Sequence, residues 1–117
     1  MRSVAKGKAV PNVAVDVGCA AFQSAIDILG RPWNAQILGA LQGRTLRYSE
    51  LAEAIEGVGD KILSARLKDL EKRELLARHV DPGPPVKVAY ALTGKGEAFR
   101  QVADAITRWG AMLVSGK

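Results

Sequence analysis

Lys61, Ser64, Ala65, Lys68 and Lys72 fall within one run, Asp60 to Arg73 (DKILSARLKDLEKR), and their types suit contact with a polyanion. Ammonium groups neutralise phosphates, and a small residue beside a hydroxyl lets a groove approach closely enough for bases to be read. On a helical wheel Lys61, Ala65, Lys68 and Lys72 share one face with Ser64 beside them, while Leu63, Leu67 and Leu70 form an apolar stripe opposite. Any solvated amphipathic helix could carry the same pattern, so the surrounding elements must decide. Two other side chains invite chemistry. Cys19 is the lone cysteine, without a partner for an intrachain disulfide, and no CxxC or Cys/His set offers a metal site. His79 is the lone histidine; with no nucleophile or paired carboxylates beside it, an enzyme is not expected, and no cofactor is implied.

A chain of 117 residues makes one domain with a proper core. The net charge of +5 and pI near 9.7 favour polyanionic partners. The aromatic set is small (Phe22, Trp33, Tyr48, Tyr90, Phe99 and Trp109), which argues against a single-strand binder built on stacking. No run reaches the ~18 apolar residues of a membrane span, and the opening MRSVAKGKAVPNVAVDVG lacks the apolar block of a secretory signal. The expectation is a cytoplasmic protein with a flexible basic arm over residues 1–15 and a folded domain over 16–117.

The elements that must position the basic face follow in order. Cys19, Phe22, Ile26 and Leu29 keep helical spacing, with Asp16 as the expected N-cap. Gly30 breaks that helix, Pro32 opens the next, and Trp33, Ile37, Leu38 and Leu41 give it an apolar side that ends at Gly43. Arg44 to Tyr48 is extended in character. Ser49 is expected to cap a short third helix, SELAEAI, and the turn Gly57-Val58-Gly59-Asp60, with Asp60 able to cap, leads into the basic helix. Short helix, glycine turn and second helix make a helix-turn-helix. Alternation at Leu76, Arg78 and Val80, and again at Val86, Val88, Tyr90 and Leu92, predicts two strands joined by the stiff loop Asp81-Pro82-Gly83-Pro84-Pro85. A last helix, introduced by Thr93, Gly94 and Gly96 and running to about Val114, carries Phe99, Val102, Ile106, Trp109 and Leu113 on a stripe longer than a small core needs. With Phe22 and Ile26 of the first helix it reads as a dimer seam, although both ends could instead fold back on their own domain. The fold class is mainly α with a small β-hairpin wing (α+β): a winged helix-turn-helix with N- and C-terminal dimerisation helices.

In these residues the chain resembles the HxlR-type regulators, relatives of the MarR group of winged-helix transcription factors. The matching features are Cys19, ILGRPW (Ile28 to Trp33), the run from Ile37 to Leu51 ending in RYSEL, KILSARLKDLE (Lys61 to Glu71), Arg78, PPVKVAYALTGKG (Pro84 to Gly96) and Trp109-Gly110. The resemblance spans about Cys19 to Gly110. It implies a homodimeric regulator of double-stranded DNA, such as a repressor, whose operator shares its two-fold symmetry. Two departures stand out. Ala20 follows the cysteine where the family commonly has proline, and Glu74 stands where it has glycine after the basic helix, removing an easy positive-φ cap.

The expected DNA-contacting residues are Lys61, Ser64, Ala65 and Lys68 on the recognition helix and Arg44, Arg47, Arg78 and Lys87 on the backbone, each of these last four equally able to be merely solvated. Ser49 could offer a phosphate its hydroxyl and helix amides, or simply cap. Arg66 matches an arginine of the family's motif, yet could pack inward with its head paired to a carboxylate. Family members that sense oxidants or electrophiles through a cysteine at this place make Cys19 a candidate redox sensor, and a helix start favours negative charge; the other reading is a small buried hydrophobe. A small aromatic effector between the end helices, lined by Trp33 and Trp109, is compatible with a regulator, but the core is the plainer place for both rings. The competing class is a winged helix that binds protein and not DNA.

Overall fold

A computed structural model describes residues 14–115; residues 1–13 of the expected arm, and residues 116 and 117, lie outside the described residues. The elements run α1 (Ala20–Leu29), α2 (Asn34–Ala40), β1 (Leu46–Arg47), α3 (Tyr48–Ala54), α4 (Asp60–Lys72), β2 (Leu76–Asp81), β3 (Lys87–Leu92), α5 (Gly94–Glu97) and α6 (Phe99–Ser115). The core is made by Ile37, Leu38 and Leu41 of the second helix, Leu51 and Ile55 of the third, Leu63, Leu67 and Leu70 of the fourth, and Leu76 of the wing. These are the apolar stripes read from the sequence, now facing one another.

The helix starts differ from expectation. Asp16 does not cap α1: its Oδ1 accepts from the Gly18 amide at 3.1 Å, closing a local turn. Cys19 takes the capping place, its Sγ accepting from the Phe22 amide at 3.3 Å. Ser49 sits inside α3, whose N-cap is Arg47, and the Arg47 amide donates to Glu50 Oε1 at 2.7 Å. Asp60 likewise lies within the first turn of α4, with Gly59 as N-cap. The caps thus lie three residues later, two earlier and one earlier than side-chain preference alone suggests; strand β1 precedes α3 directly and the glycine turn precedes α4 directly, and these set where helical dihedrals begin there. Trp33 precedes α2 at φ +76, a conformation unusual for a bulky residue. Its ring is half-buried against the core and reaches to within 3.5 Å of where a Cβ on Gly57 would stand.

The wing is larger than a hairpin. β3 pairs antiparallel with β2 on one side, Leu76 opposite Leu92 through Asp81 opposite Lys87, and with β1 on the other, Leu46 opposite Tyr90. The sheet order is β1-β3-β2, so the extended stretch at Arg44 to Tyr48 becomes an edge strand. The last helix is also split, with Thr93 capping a short α5 through Oγ1 to the Gly96 amide (3.3 Å) before α6 starts. Gly96 is required by close approach: a Cβ there would stand 2.3 Å from the Leu75 carbonyl oxygen.

The end of α4 answers the question posed by Glu74. Its amide donates to the Glu71 carbonyl at 2.9 Å and the next amide, Leu75, reaches back to Leu70 at 3.0 Å, the two bonds of a Schellman cap. Glu74 therefore adopts φ +67, the place a glycine would fill without strain. Its carboxylate pairs with Lys95 at 3.4 Å, both side chains well exposed, and such a pair contributes little. Replacing Glu74 by Gly should raise the unfolding free energy by about 1 kcal/mol, measured by chemical denaturation. A loss of stability would show that the side chain holds the turn.

Candidate nucleic-acid interface

Rotation of α4 is set from within. Leu63, Leu67 and Leu70 are 0%, 1% and 0% exposed, so the opposite side of the helix must face out. Lys61, Ser64, Ala65, Lys68 and Lys72 are all exposed. Ser64, Ala65, Lys68 and Lys72, with Asp69, line a shallow depression of about 350 Å³ along the helix. Lys72 thus belongs to the same surface as Lys68, near the helix end.

The N-terminal end of this face is braced by α3. Tyr48 is half-buried with its ring against the core. Its hydroxyl donates to the Asp60 carbonyl oxygen at 3.0 Å, lies 3.3 Å from Asp60 Oδ1, and is 3.2 Å from Ser64 Oγ. The sequence reading gave Tyr48 no role beyond ending an extended stretch; an aromatic hydroxyl opening the helix before a glycine turn was the available signal. At the opposite end, Arg73 links Asp69 Oδ2 (2.9 Å) to Asp27 Oδ2 of α1 (3.0 Å), and Arg31 stands 3.8 Å from Asp27 Oδ1. The Asp69 hydrogen bond is the main cause raising the Arg73 guanidinium above its ordinary pKa, with Asp27 adding to it. This tie between α1 and the end of α4 was also missed, because nothing in the spacing of Asp27 and Arg73 brings them together.

The other expected residues are dispersed. Arg66 is half-buried, its Nε donating to the Pro32 carbonyl at 2.8 Å, so it fastens α4 to the α1–α2 link through a backbone oxygen, where the inward-packing reading had a carboxylate. Arg44 is exposed but folds back on α2, donating from Nε to the Ala40 carbonyl at 2.8 Å. Arg47, Ser49, Arg78 and Lys87 are exposed. Because directly opposed residues of an antiparallel pair point the same way, the register separates the wing's cations. Arg78 shares a face with Leu46 and Tyr90, while Lys87, His79 and Arg47 share the other face with Ala89. One surface of the wing cannot present both Arg78 and Lys87.

The end helices have no buried residue. On α6, Val102, Ile106, Trp109 and Leu113 are exposed, Trp109 by 64%, and Ile26 of α1 by 52%. Trp109 is therefore not core within this chain, whereas Phe99 packs on it and Phe22 is half-buried. A mostly apolar cavity of about 210 Å³ opens between α1, α2 and α6, lined by Ile28, Leu38, Phe99 and Val102 among others; neither tryptophan lines it. Trp33 instead borders a separate depression with Arg44 and Glu56. Among the described residues no His, Cys, Asp or Glu cluster is placed to hold a metal, and no helix is long and apolar enough to cross a membrane.

A short helix, a glycine turn and a second helix with a basic outer face, followed by a β wing, define a winged helix-turn-helix, the fold of DNA-binding regulators. Residues 28–117 match the HxlR-like helix-turn-helix family, and the chain belongs to it. It is a DNA-binding transcriptional regulator. The chain is 40% identical over 91 residues to the HTH-type transcriptional regulator YodB of Bacillus subtilis (strain 168), covering 78% of this chain and 81% of that protein. A MarR-family protein from Porphyromonas gingivalis W83 has a TM-score of 0.76 at 30% identity, over 85% of this chain and 96% of that one. The quinone-bound form of YodB has a TM-score of 0.71 at 34% identity, over 80% and 98%. Cys19 lies ahead of the stretch matched by the family.

Proposed function

We propose that the chain acts as a homodimer on a two-fold operator, with α4 in the major groove, the wing on the phosphates or the neighbouring minor groove, and the thiol of Cys19 as its signal input. The observation that carries this reading is the rotation of α4, with three leucines fully inside and Lys61, Ser64, Ala65 and Lys68 outside. Arg47 and Ser49 are candidate backbone contacts around it, with Arg78 or Lys87 from opposite faces of the wing. Arg44 and Arg66 each already hold a backbone carbonyl through Nε, leaving only their terminal nitrogens for a phosphate. On this reading the protein works in the cytoplasm beside its DNA.

The homodimer rests on the exposed apolar stripe Ile26, Val102, Ile106, Trp109 and Leu113, too large a cluster of apolar side chains to leave in water. Phe22 and Phe99 flank it. The signal input rests on two supports. Cys19 Sγ holds the first turn of α1, and a relative binds a quinone. Addition of the thiolate sulfur to the ring of a quinone forms a C–S bond, and the ring takes the proton to become a hydroquinone. The sulfur then becomes a poor acceptor for the Phe22 amide, and the start of the dimer helix loosens.

Fluorescence-anisotropy titration against DNA from beside the protein's own gene, at several salt concentrations, tests the DNA reading. Binding should prefer that DNA over scrambled duplex, and affinity should fall steeply with salt. Lys61→Ala and Lys68→Ala should each lower the slope of log affinity against log salt by about 1. Absence of duplex binding at every salt would favour the protein-interaction module. A quinone should release wild type but not Cys19→Ser, whose hydroxyl still caps the helix; equal release would make Cys19 structural. Trp109→Glu should sediment as a monomer where wild type sediments as a dimer, and an unchanged dimer would move the interface elsewhere.

A further inference from the structure

The three oxygens around Tyr48 contain an asymmetry that bears on which base the recognition helix reads. The tyrosine hydroxyl has one proton. Two of its neighbours, the Asp60 backbone carbonyl at 3.0 Å and Asp60 Oδ1 at 3.3 Å, are oxygens that accept. The third, Ser64 Oγ at 3.2 Å, can do either. If the tyrosine proton pointed at Ser64, the hydroxyl oxygen would face both Asp60 oxygens with lone pairs alone. If it points at Asp60, the carbonyl takes it with Oδ1 as a weaker second acceptor of the same proton, and Ser64 donates its own proton to Tyr48. The second arrangement wins because it places a proton in the Tyr48–Ser64 contact and directs the tyrosine proton at Asp60, whereas the first turns only lone pairs toward both Asp60 oxygens. The ring is held by the core, so the hydroxyl is a fixed post. Ser64 Oγ is then left with lone pairs alone for anything beyond the protein, on the exposed face of α4.

We infer that Tyr48 is a specificity-determining positioning residue: by taking the Ser64 proton it makes Ser64 an obligate hydrogen-bond acceptor toward the major groove. The groups that donate there are the exocyclic amines, N6 of adenine and N4 of cytosine, whereas guanine and thymine present acceptors at the corresponding positions. The base nearest Ser64 is thus selected as adenine or cytosine over guanine or thymine. This goes beyond the lysines, which as mobile point charges neutralise phosphates and read sequence poorly. It rests on the proposed placement of α4 in the major groove.

Selection from a randomised operator library, read by sequencing and followed by anisotropy on single-base variants, tests it with wild type, Tyr48→Phe and Ser64→Ala. Wild type should show one position per half-site at which adenine or cytosine is preferred by roughly 3- to 10-fold, the size of one hydrogen bond. Ser64→Ala should flatten that position alone. Tyr48→Phe keeps the ring and frees the serine proton, so guanine and thymine should gain until the preference falls below about 2-fold, with the salt slope unchanged because no phosphate contact is lost. A position that stays selective in Tyr48→Phe, or one that ignores Ser64→Ala, would overturn the inference while leaving the DNA reading intact. Failure of wild type to bind any duplex would instead overturn both, and that failure is visible before any variant is made.

Discussion

Burial of Leu63, Leu67 and Leu70 fixes how α4 is rotated about its own axis, and the rest of the molecule's chemistry follows from that angle. Each buried leucine contributes roughly 1.5–3 kcal/mol relative to exposure. Turning the helix by one residue would bring leucines into water and drive lysines toward Ile37, Leu38 and Leu51, at a cost no surface contact could offset. The outer face is therefore rigidly presented. Tyr48 and Arg66 fasten one side and end of the helix, and Arg73 ties the other end to α1. A groove-binding surface needs this kind of preorganisation, because side chains held in place pay less entropy on binding.

The two halves of the chain solve opposite problems. The helix-turn-helix and the base of the wing bury most of their apolar residues internally, Ile62 excepted, down to the close fit of Gly96 under the Leu75 carbonyl. The end helices do not, and α6 keeps Trp109 and its neighbours in water. α1 joins both regions: it carries apolar Ile26 outward, is capped by Cys19, and meets α4 through Asp27 and Arg73. A change at the start of α1 thus has a short physical route to the end of the DNA-facing helix.

Much of this was legible in the residues. The leucine spacing in DKILSARLKDLEKR, the glycine turn before it and the alternation of the wing are local periodicities, and local periodicity follows from which face each residue must bury. The buried second and third helices were read from the same signal. What escaped depended on contacts between distant segments. Pairing of β1 with β3 turned a connecting stretch into an edge strand and moved the start of α3 from Ser49 to Tyr48. Glu74 took the left-handed conformation because the turn into β2, with both Schellman bonds, demands it whatever residue is present. Tyr48 and the tie from Arg73 to Asp27 were invisible because those partners lie 12 and 46 residues away. Trp109 was read both as dimer seam and as core; it lies outside this chain's core, and an apolar stripe does not say which molecule covers it.

The most direct measurement is lysine acetylation footprinting of the protein with and without duplex DNA from beside its own gene, read residue by residue by mass spectrometry. Lys61 and Lys68 should be strongly protected on complex formation, while Lys95, paired with Glu74 on the far end of α4 beside the α1–α6 cavity, should react at the same rate as in the free protein. Protection of Lys95 with Lys61 and Lys68 left reactive would contradict the placement of α4 against DNA.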